Sequence, residues 1–345
     1  MTTEAPRPEW LREVPDRSLP RRRIGLVLGA GGATGAAFHA GTLHALQHDA
    51  RWDPNSADVI VGSSAGSIVA GLLRAGLTTD DLSAWGTTAA PRSDGRVSRD
   101  LLDNMGSTRN ALVPSRPRLP FRSLGILGSL AHSPRPSIAG IVTSLMPTGW
   151  VDAPTNLERI GRLLEAWPER DLWVTAVDTS SARRVVFGKD DTSVTPGRAI
   201  AASCAIPGIY RPITIGGRRY IDGGAHSPTN ADVMLDAPVD TVIISSPMSA
   251  RPGASTRRPD HLMRALLHRR LQREADRLTR AGLDVHVFEP DRATMDSMGI
   301  NALDSSRAGR VVRDAFLAAG DQIADSVTLR EILSESQAVD TWRTT

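Results

Sequence analysis

Apolar residues in this chain fall into short runs closed by glycine, alternating with segments of helical composition. Ile24-Gly25-Leu26-Val27-Leu28 has the length of a buried strand and ends in the glycine-rich turn of residues 29–35. Residues 36–48 follow with helical composition. Asp58-Val59-Ile60-Val61 is a second short strand ending at Gly62, and residues 68–73 continue as a helix. Two strand–turn–helix units this close together predict a parallel α/β sheet covered by helices. Further strands are predicted at Leu172-Trp173-Val174-Thr175-Ala176-Val177, Arg184-Val185-Val186-Phe187, Thr241-Val242-Ile243-Ile244-Ser245 and Asp284-Val285-His286-Val287-Phe288. Between the last two, Leu267, Leu271, Ala275 and Leu278 form an apolar stripe at helical spacing, and six arginines in residues 260–281 suit a solvated opposite face.

Three stretches depart from this pattern. Residues 1–21 are polar, charged and contain proline, which predicts a flexible tail. With no apolar stretch they do not read as a secretory signal. Residues 91–150 hold seven prolines, and eight arginines against three aspartates. That is too long for a plain loop and is read as an inserted helical cap. Its Phe121, Leu124, Ile126, Leu127 and Leu130 suit either packing onto the domain or peripheral contact with a membrane. The main domain is then residues 22–325, with residues 326–345 as a C-terminal tail.

Composition narrows the class without naming it. A chain of 345 residues, 40% apolar and 23% charged, can bury a sizeable core and suits a soluble globular protein. The formal charge of +3 is small for this length and gives no reason to expect a nucleic-acid partner. Cys204 is the single cysteine, which excludes an internal disulfide and fits a reducing compartment. No run of about 18 apolar residues is present, so no membrane span is expected. The expected location is cytoplasmic, with peripheral membrane contact through the 91–150 cap.

Three features carry the chemistry. Gly62-Ser63-Ser64-Ala65-Gly66 has the form Gly-x-Ser-x-Gly between an apolar strand and an apolar helix. A sharp strand-to-helix turn there strains the central serine and exposes its hydroxyl, and glycines on either side avoid collision with the neighbouring elements. The helix that begins after Ser64 also turns free N–H groups toward a developing negative charge. Gly29, Gly31 and Gly35 give G-x-G-x-x-x-G after a strand, which suits either a pyrophosphate cradle or an oxyanion hole. Both need unobstructed amides aimed at an anion. Arg219-Tyr220-Ile221-Asp222-Gly223-Gly224 then sets a carboxylate at the end of a short apolar segment, immediately before two glycines.

In this order the three motifs resemble those of the patatin-like phospholipase family. Residues 26–46 look like that family's first strand, turn and helix. Ala202-Ser203-Cys204-Ala205-Ile206-Pro207-Gly208, Arg211-Pro212 and Tyr220-Ile221-Asp222-Gly223-Gly224 are similar to its approach to the catalytic aspartate. The resemblance covers roughly residues 22–325 and implies a three-layer α/β/α fold with a mainly parallel central sheet. It implies a lipid acyl hydrolase with a Ser64–Asp222 dyad and no cofactor. Amides of Gly31 and Gly32, joined by Ala33 or Ala65, would form the oxyanion hole, and lipid or another acyl ester would be the substrate. Thr34 departs from the family, many of whose members carry a basic residue at that position.

Rival chemistry has weaker support. His226 or His286 would serve a Ser-His-Asp α/β-hydrolase, but no HGGG-like segment accompanies them. The glycine turn alone would suit an NADP-dependent oxidoreductase, which leaves Ser64 and Asp222 unexplained. A lipid-binding protein without turnover would have no use for an intact dyad. His44 and His48 stand at i, i+4, the spacing of a metal pair, yet no Glu follows His44, so no metal is expected. Cys204 reads as a small packed residue, and Asp178 as a strand-end residue that either opens a turn or faces the site.

Overall fold

A computed structural model describes residues 22–84, 163–254 and 260–340. The expected N-terminal tail and the whole of the expected 91–150 cap, including Phe121, Leu124, Ile126, Leu127 and Leu130, lie outside the described residues. Among those described, eight strands form one sheet. Its parallel part is centred on β1 (Ile24–Leu28), which lies between β2 (Val59–Gly62) and β7 (Thr241–Ser245). Outside these, β3 (Asp171–Asp178) pairs with β2 and β8 (Asp284–Phe288) pairs with β7, again parallel.

These strands read as unbroken apolar runs because both faces of the sheet are covered. Alternate residues enter different cores, as the period of two requires. Leu26, Leu28, Ile60 and Val174 join the larger cluster with α1 (Gly32–His48), α2 (Ala65–Arg74) and α7 (Ala308–Asp325). Val27, Val61, Trp173 and Ile244 face the other way, onto Leu271 and Leu278 of α5 (His261–Arg280). The expected stripe on that helix is therefore its packing face. The result is the three-layer α/β/α arrangement with a mainly parallel sheet. Short helices α3 (Thr79–Ala84), α4 (Pro196–Ser203) and α6 (Arg292–Met298) complete the layers. Part of the expected C-terminal tail is helix α8 (Val327–Asp340), and its Leu329, Ile332 and Leu333 are buried in the larger cluster. Their i, i+3, i+4 spacing supplies an apolar face that packs.

The antiparallel strands β4 (Arg184–Phe187), β5 (Ile213–Ile215) and β6 (Arg218–Asp222) set up the site. Val174 of β3 pairs with both Gly62 of β2 and Phe187 of β4, so β2 and β4 occupy opposite edges of β3. Ala176 pairs with both Val185 of β4 and Asp222 of β6. Since β4 holds one edge throughout, β6 must continue the edge that β2 leaves. Running parallel to β3, β2 ends at Gly62; running antiparallel, β6 ends at Asp222. The two C-terminal ends meet head-on, opposite positions of β3 only two residues apart.

Helix α1 lies directly on α7 at Gly41, where an added Cβ would overlap the Val312 carbonyl oxygen and approach Ala315 Cβ to 2.9 Å. Both neighbours sit on helix backbone or a short side chain and cannot swing aside. Gly41→Leu is expected to lower unfolding stability by about 1–3 kcal/mol, the range for overpacking a tight core, as read by urea denaturation. An unchanged midpoint would show that the helices can separate freely.

Candidate active site

Ser64 follows β2 and caps α2, with φ 52° and ψ −121°. A non-glycine residue adopts this region only under constraint, at a cost of about 1–3 kcal/mol. The constraint is close packing. A Cβ on Gly66 would overlap the Leu28 carbonyl oxygen at the end of β1, and one on Gly62 would overlap Ser67 Cα. The Gly-x-Ser-x-Gly spacing thus lets α2 turn back across its own strand and leaves the serine at the bend. The Ser64 amide is held at 2.8 Å by Ser203 Oγ, and Ser67 Oγ donates to the Ser64 carbonyl at 2.7 Å.

Asp222 ends β6 and is 5% exposed, as is Ser64. Its amide is fixed by the Ala205 carbonyl at 3.0 Å, and its carboxylate accepts the Gly224 amide at 2.7 Å. The Ser64 side chain stands close enough to the same carboxylate to favour its ionised form. Burial raises the Asp222 pKa to about 6, against the lowering effects of Ser64 and the Gly224 amide. The structure therefore brings together the serine and the aspartate that the sequence reading paired.

A buried polar knot beneath them was not foreseen. Ser63 Oγ lies 2.7 Å from Thr175 Oγ1, and Asn230 Nδ2 donates to Ser63 Oγ at 2.9 Å. Asn230 Nδ2 also lies within 3.2 Å of the Gly223 carbonyl and 2.6 Å of the Ser227 carbonyl. Thr175 stands on β3 between the two positions that pair with Gly62 and Asp222. The knot consequently spans the seam where β2 and β6 meet, tying the residue before Ser64 to the loop after Asp222. Asn230 itself is left-handed, at φ 53°, and its two neighbours are anchored by buried Glu274, which accepts the Thr229 hydroxyl at 2.6 Å and the Ala231 amide at 2.9 Å. The only sequence sign of this was an Asn in a turn shortly after Asp-Gly-Gly, a position where Asn tolerates positive φ.

The glycine turn closes the arrangement from β1. Gly29 N bonds the Ser245 carbonyl at 3.0 Å, Ala30 N the Pro228 carbonyl at 2.7 Å and Thr34 N the Ala302 carbonyl at 3.0 Å. A Cβ on Gly224 would come within 3.0 Å of Ala30 Cβ, so this turn abuts the Asp222 loop. The amides of Gly31, Gly32, Ala33 and Ala65 donate to no acceptor among the described residues. Those of Gly32, Ala33 and Ala65 lie in the first turns of α1 and α2, where helix geometry supplies no internal acceptor.

A family model described as patatin-like phospholipase matches residues 26–235, more than half of the chain. The chain belongs to the patatin-like phospholipase family. It is thereby a lipid acyl hydrolase in general terms. No curated protein matches this patatin-like phospholipase. Among solved structures, VipD from Legionella pneumophila is similar at 14% identity and a TM-score of 0.43, over 89% of this chain and 67% of that one. The type III effector protein ExoU is similar at 18% identity and a TM-score of 0.32, over 88% of this chain and 54% of that one. The family assignment rests on the match over residues 26–235.

The remaining candidates of this patatin-like phospholipase make no hydrogen bond to the Ser64 side chain among the described residues and have other roles. His226 is held down to about 4 by burial and then by the charges of Arg184 and Arg270, in a cluster that includes Asp232. His286 lies on β8, at the far side of the sheet from β3. Asp178 takes the turn role, accepting the Ser180 amide at 2.7 Å and Arg218 at 3.1 Å. Cys204 is buried, and burial together with the nearby Asp222 charge pushes its thiol up, so it stays protonated. Thr34 is also buried, facing the Ala302 carbonyl. No helix among the described residues is long and apolar enough to cross a membrane.

One further buried group supports the glycine turn. His39 on α1 is fully buried, with Nε2 at 2.7 Å from the Gly29 carbonyl and Nδ1 at 2.8 Å from Ser245 Oγ. A carbonyl only accepts, so Nε2 carries the proton and Nδ1 accepts from the serine hydroxyl. Burial holds this imidazole down to about 4. The unfolded side chain binds its proton near 6.5 and the folded one only near 4, so protons favour unfolding between those values. The stabilising contribution of the buried neutral form is full above pH 6.5 and is lost as pH falls through 4. It amounts to about 3 kcal/mol at most. The stability advantage of the parent over His39→Gln should therefore narrow as pH falls from 6.5 to 4, measured by urea unfolding. A constant difference across that range would show that His39 does not titrate this way.

Proposed function

We propose that the protein is a carboxylic ester hydrolase of the phospholipase A, lysophospholipase or esterase type, working through an acyl-Ser64 intermediate with Asp222 as base. The observation that carries this reading is the approach of the Ser64 side chain, at its strained bend, to a buried carboxylate whose pKa burial has raised to about 6. A carboxylate at its usual pKa is a weak base; raised to about 6, it binds a proton more strongly yet is still mostly ionised at neutral pH. As Ser64 Oγ attacks the ester carbonyl, its proton passes to Asp222. The oxyanion is received by the amides of Gly31 and Gly32, with Ala33 and Ala65, all of which are free to donate. Asp222 then gives the proton to the leaving alcohol; water attacks the acyl carbonyl as Asp222 takes its proton, and Asp222 returns that proton to Ser64 Oγ as the carboxylic acid departs. A histidine is not required, and the placement of His226 among arginines supports that economy. The oxidoreductase alternative has no comparable support, since the glycine turn abuts the Asp222 loop. Contact with the lipid surface is assigned to the 91–150 segment.

Fluorophosphonate labelling and hydrolysis of a panel of phospholipids and simple esters test this. Ser64→Ala should lose both labelling and turnover. Asp222→Asn should lower kcat by about 10²–10⁴-fold, the usual share of a general base. His226→Ala should stay active. In the parent, kcat/KM should rise as Asp222 ionises, reaching half its plateau near pH 6. An active Asp222→Asn variant, or labelling that survives Ser64→Ala, would sink the dyad.

A further inference from the structure

The far end of α1 carries a cluster that the hydrolase chemistry does not use. His44 and His48 are one turn apart, their ring centroids 4.2 Å from each other. Asp80 of α3 faces both. Its Oδ1 lies 3.3 Å from His44 Nδ1 and 3.1 Å from His48 Nε2. We propose that His44, His48 and Asp80 form a binding site for a divalent transition-metal ion of the zinc class.

Geometry supports an ion rather than an ion pair alone. Ligand atoms roughly 2.0–2.2 Å from a four-coordinate zinc lie roughly 3.3 Å from one another. Two of the three edges already have that length, and all three ligand atoms lie within 4.8 Å of one another. His48 Nε2 hydrogen-bonds the Asp80 oxygen, but His44 Nδ1 is buried and makes no hydrogen bond. An imidazole nitrogen buried without a hydrogen bond, 3.3 Å from a carboxylate oxygen, can offer its lone pair to a cation shared with that oxygen. Two imidazoles and one carboxylate suit zinc better than magnesium or calcium, which prefer oxygen ligands throughout. Three protein ligands leave a fourth position for water.

The ligands are also held in place from behind. His44 packs on Phe316 of α7 at 5.1 Å between centroids. Gln47 Oε1 accepts the Thr79 hydroxyl at 2.6 Å, fixing α3 beside α1. Thr78 and Asp81 exchange bonds of 3.0 and 3.1 Å across the first turn of α3, which sets the direction of Asp80 between them. An ion here would join α3 to α1, and so would stabilise the folded chain by mass action. The site stands independently of the proposed dyad.

The test is zinc titration of the tag-free full chain against a chromophoric competing chelator, paired with thermal unfolding. The parent should bind one equivalent and unfold at higher temperature with zinc present. His48→Ala and Asp80→Asn should each weaken binding on the order of 100-fold and abolish the thermal shift. His48 has a half-exposed side chain, so its removal leaves the core intact, which far-UV circular dichroism and unchanged fluorophosphonate labelling would verify. Equal zinc affinity in the parent and His48→Ala, or no binding by the parent below millimolar zinc, would overturn the proposal.

Discussion

The site depends on a seam along one edge of β3, where β2 and β6 arrive from opposite directions and stop opposite Val174 and Ala176. Neither strand could be extended without displacing the other. Each must therefore leave the sheet at that point, and what leaves is the Ser64 bend on one side and the Asp222 loop on the other. Thr175 lies between the two pairing positions and fills the gap with a hydroxyl rather than a methyl group. Bonded to Ser63 and approached by Asn230, it supplies the polar partner that two broken strand ends need. Serine and aspartate come together because the sheet has a discontinuity there, and the knot holds that discontinuity in one form.

Burial and hydrogen bonding pull the Asp222 carboxylate in opposite directions, and the balance suits a base. Desolvation alone would favour the neutral acid. The Ser64 hydroxyl and the Gly224 amide favour the anion, and the outcome is a pKa of about 6. Had the carboxylate taken further donors, it would have become a weaker base; with none, burial would have raised its pKa further. Gly224 matters here as the source of one short bond from a position two residues on, a local turn that needs no distant partner. Ser203, by occupying the Ser64 amide, leaves the serine side chain as the group that answers to Asp222.

Much of this was legible in the sequence, and for physical reasons. Apolar runs such as Ile24–Leu28 mark strands covered on both faces, and the glycines at 62 and 66 mark a bend that no side chain would permit. Ser64 and Asp222, the proposed dyad, sat within such local patterns, so the sequence could nominate them together. What could not be read is whatever depends on register. Nothing in the spelling of Leu172 to Val177 says that Thr175 will stand at a seam, because that follows from how far β2 and β6 each run along β3. Thr229 and Glu274 lie 45 residues apart in the numbering and meet only once α5 packs under the sheet. The helical character of residues 327–340 was hidden because Leu329, Ile332 and Leu333 are few among polar neighbours, and the larger core alone gives them a reason to pack.

Helix α1 shows how one element can serve several ends when its faces are kept separate. Successive residues turn by about 100°, so His39 and the pair His44 and His48 point in different directions although they are close in sequence. His39 points inward and ties the start of the glycine turn to β7. Gly41 lies against α7 and removes the room in which the helix could shift. His44 and His48 face α3. A rod about 25 Å long, pinned along its middle, keeps the amides at its first turn and the imidazoles at its last in fixed relation. Any ligand that holds α3 to the last turn therefore acts on the same rigid body that presents Gly32 and Ala33. The geometry joins the two ends through packing rather than through any shared residue.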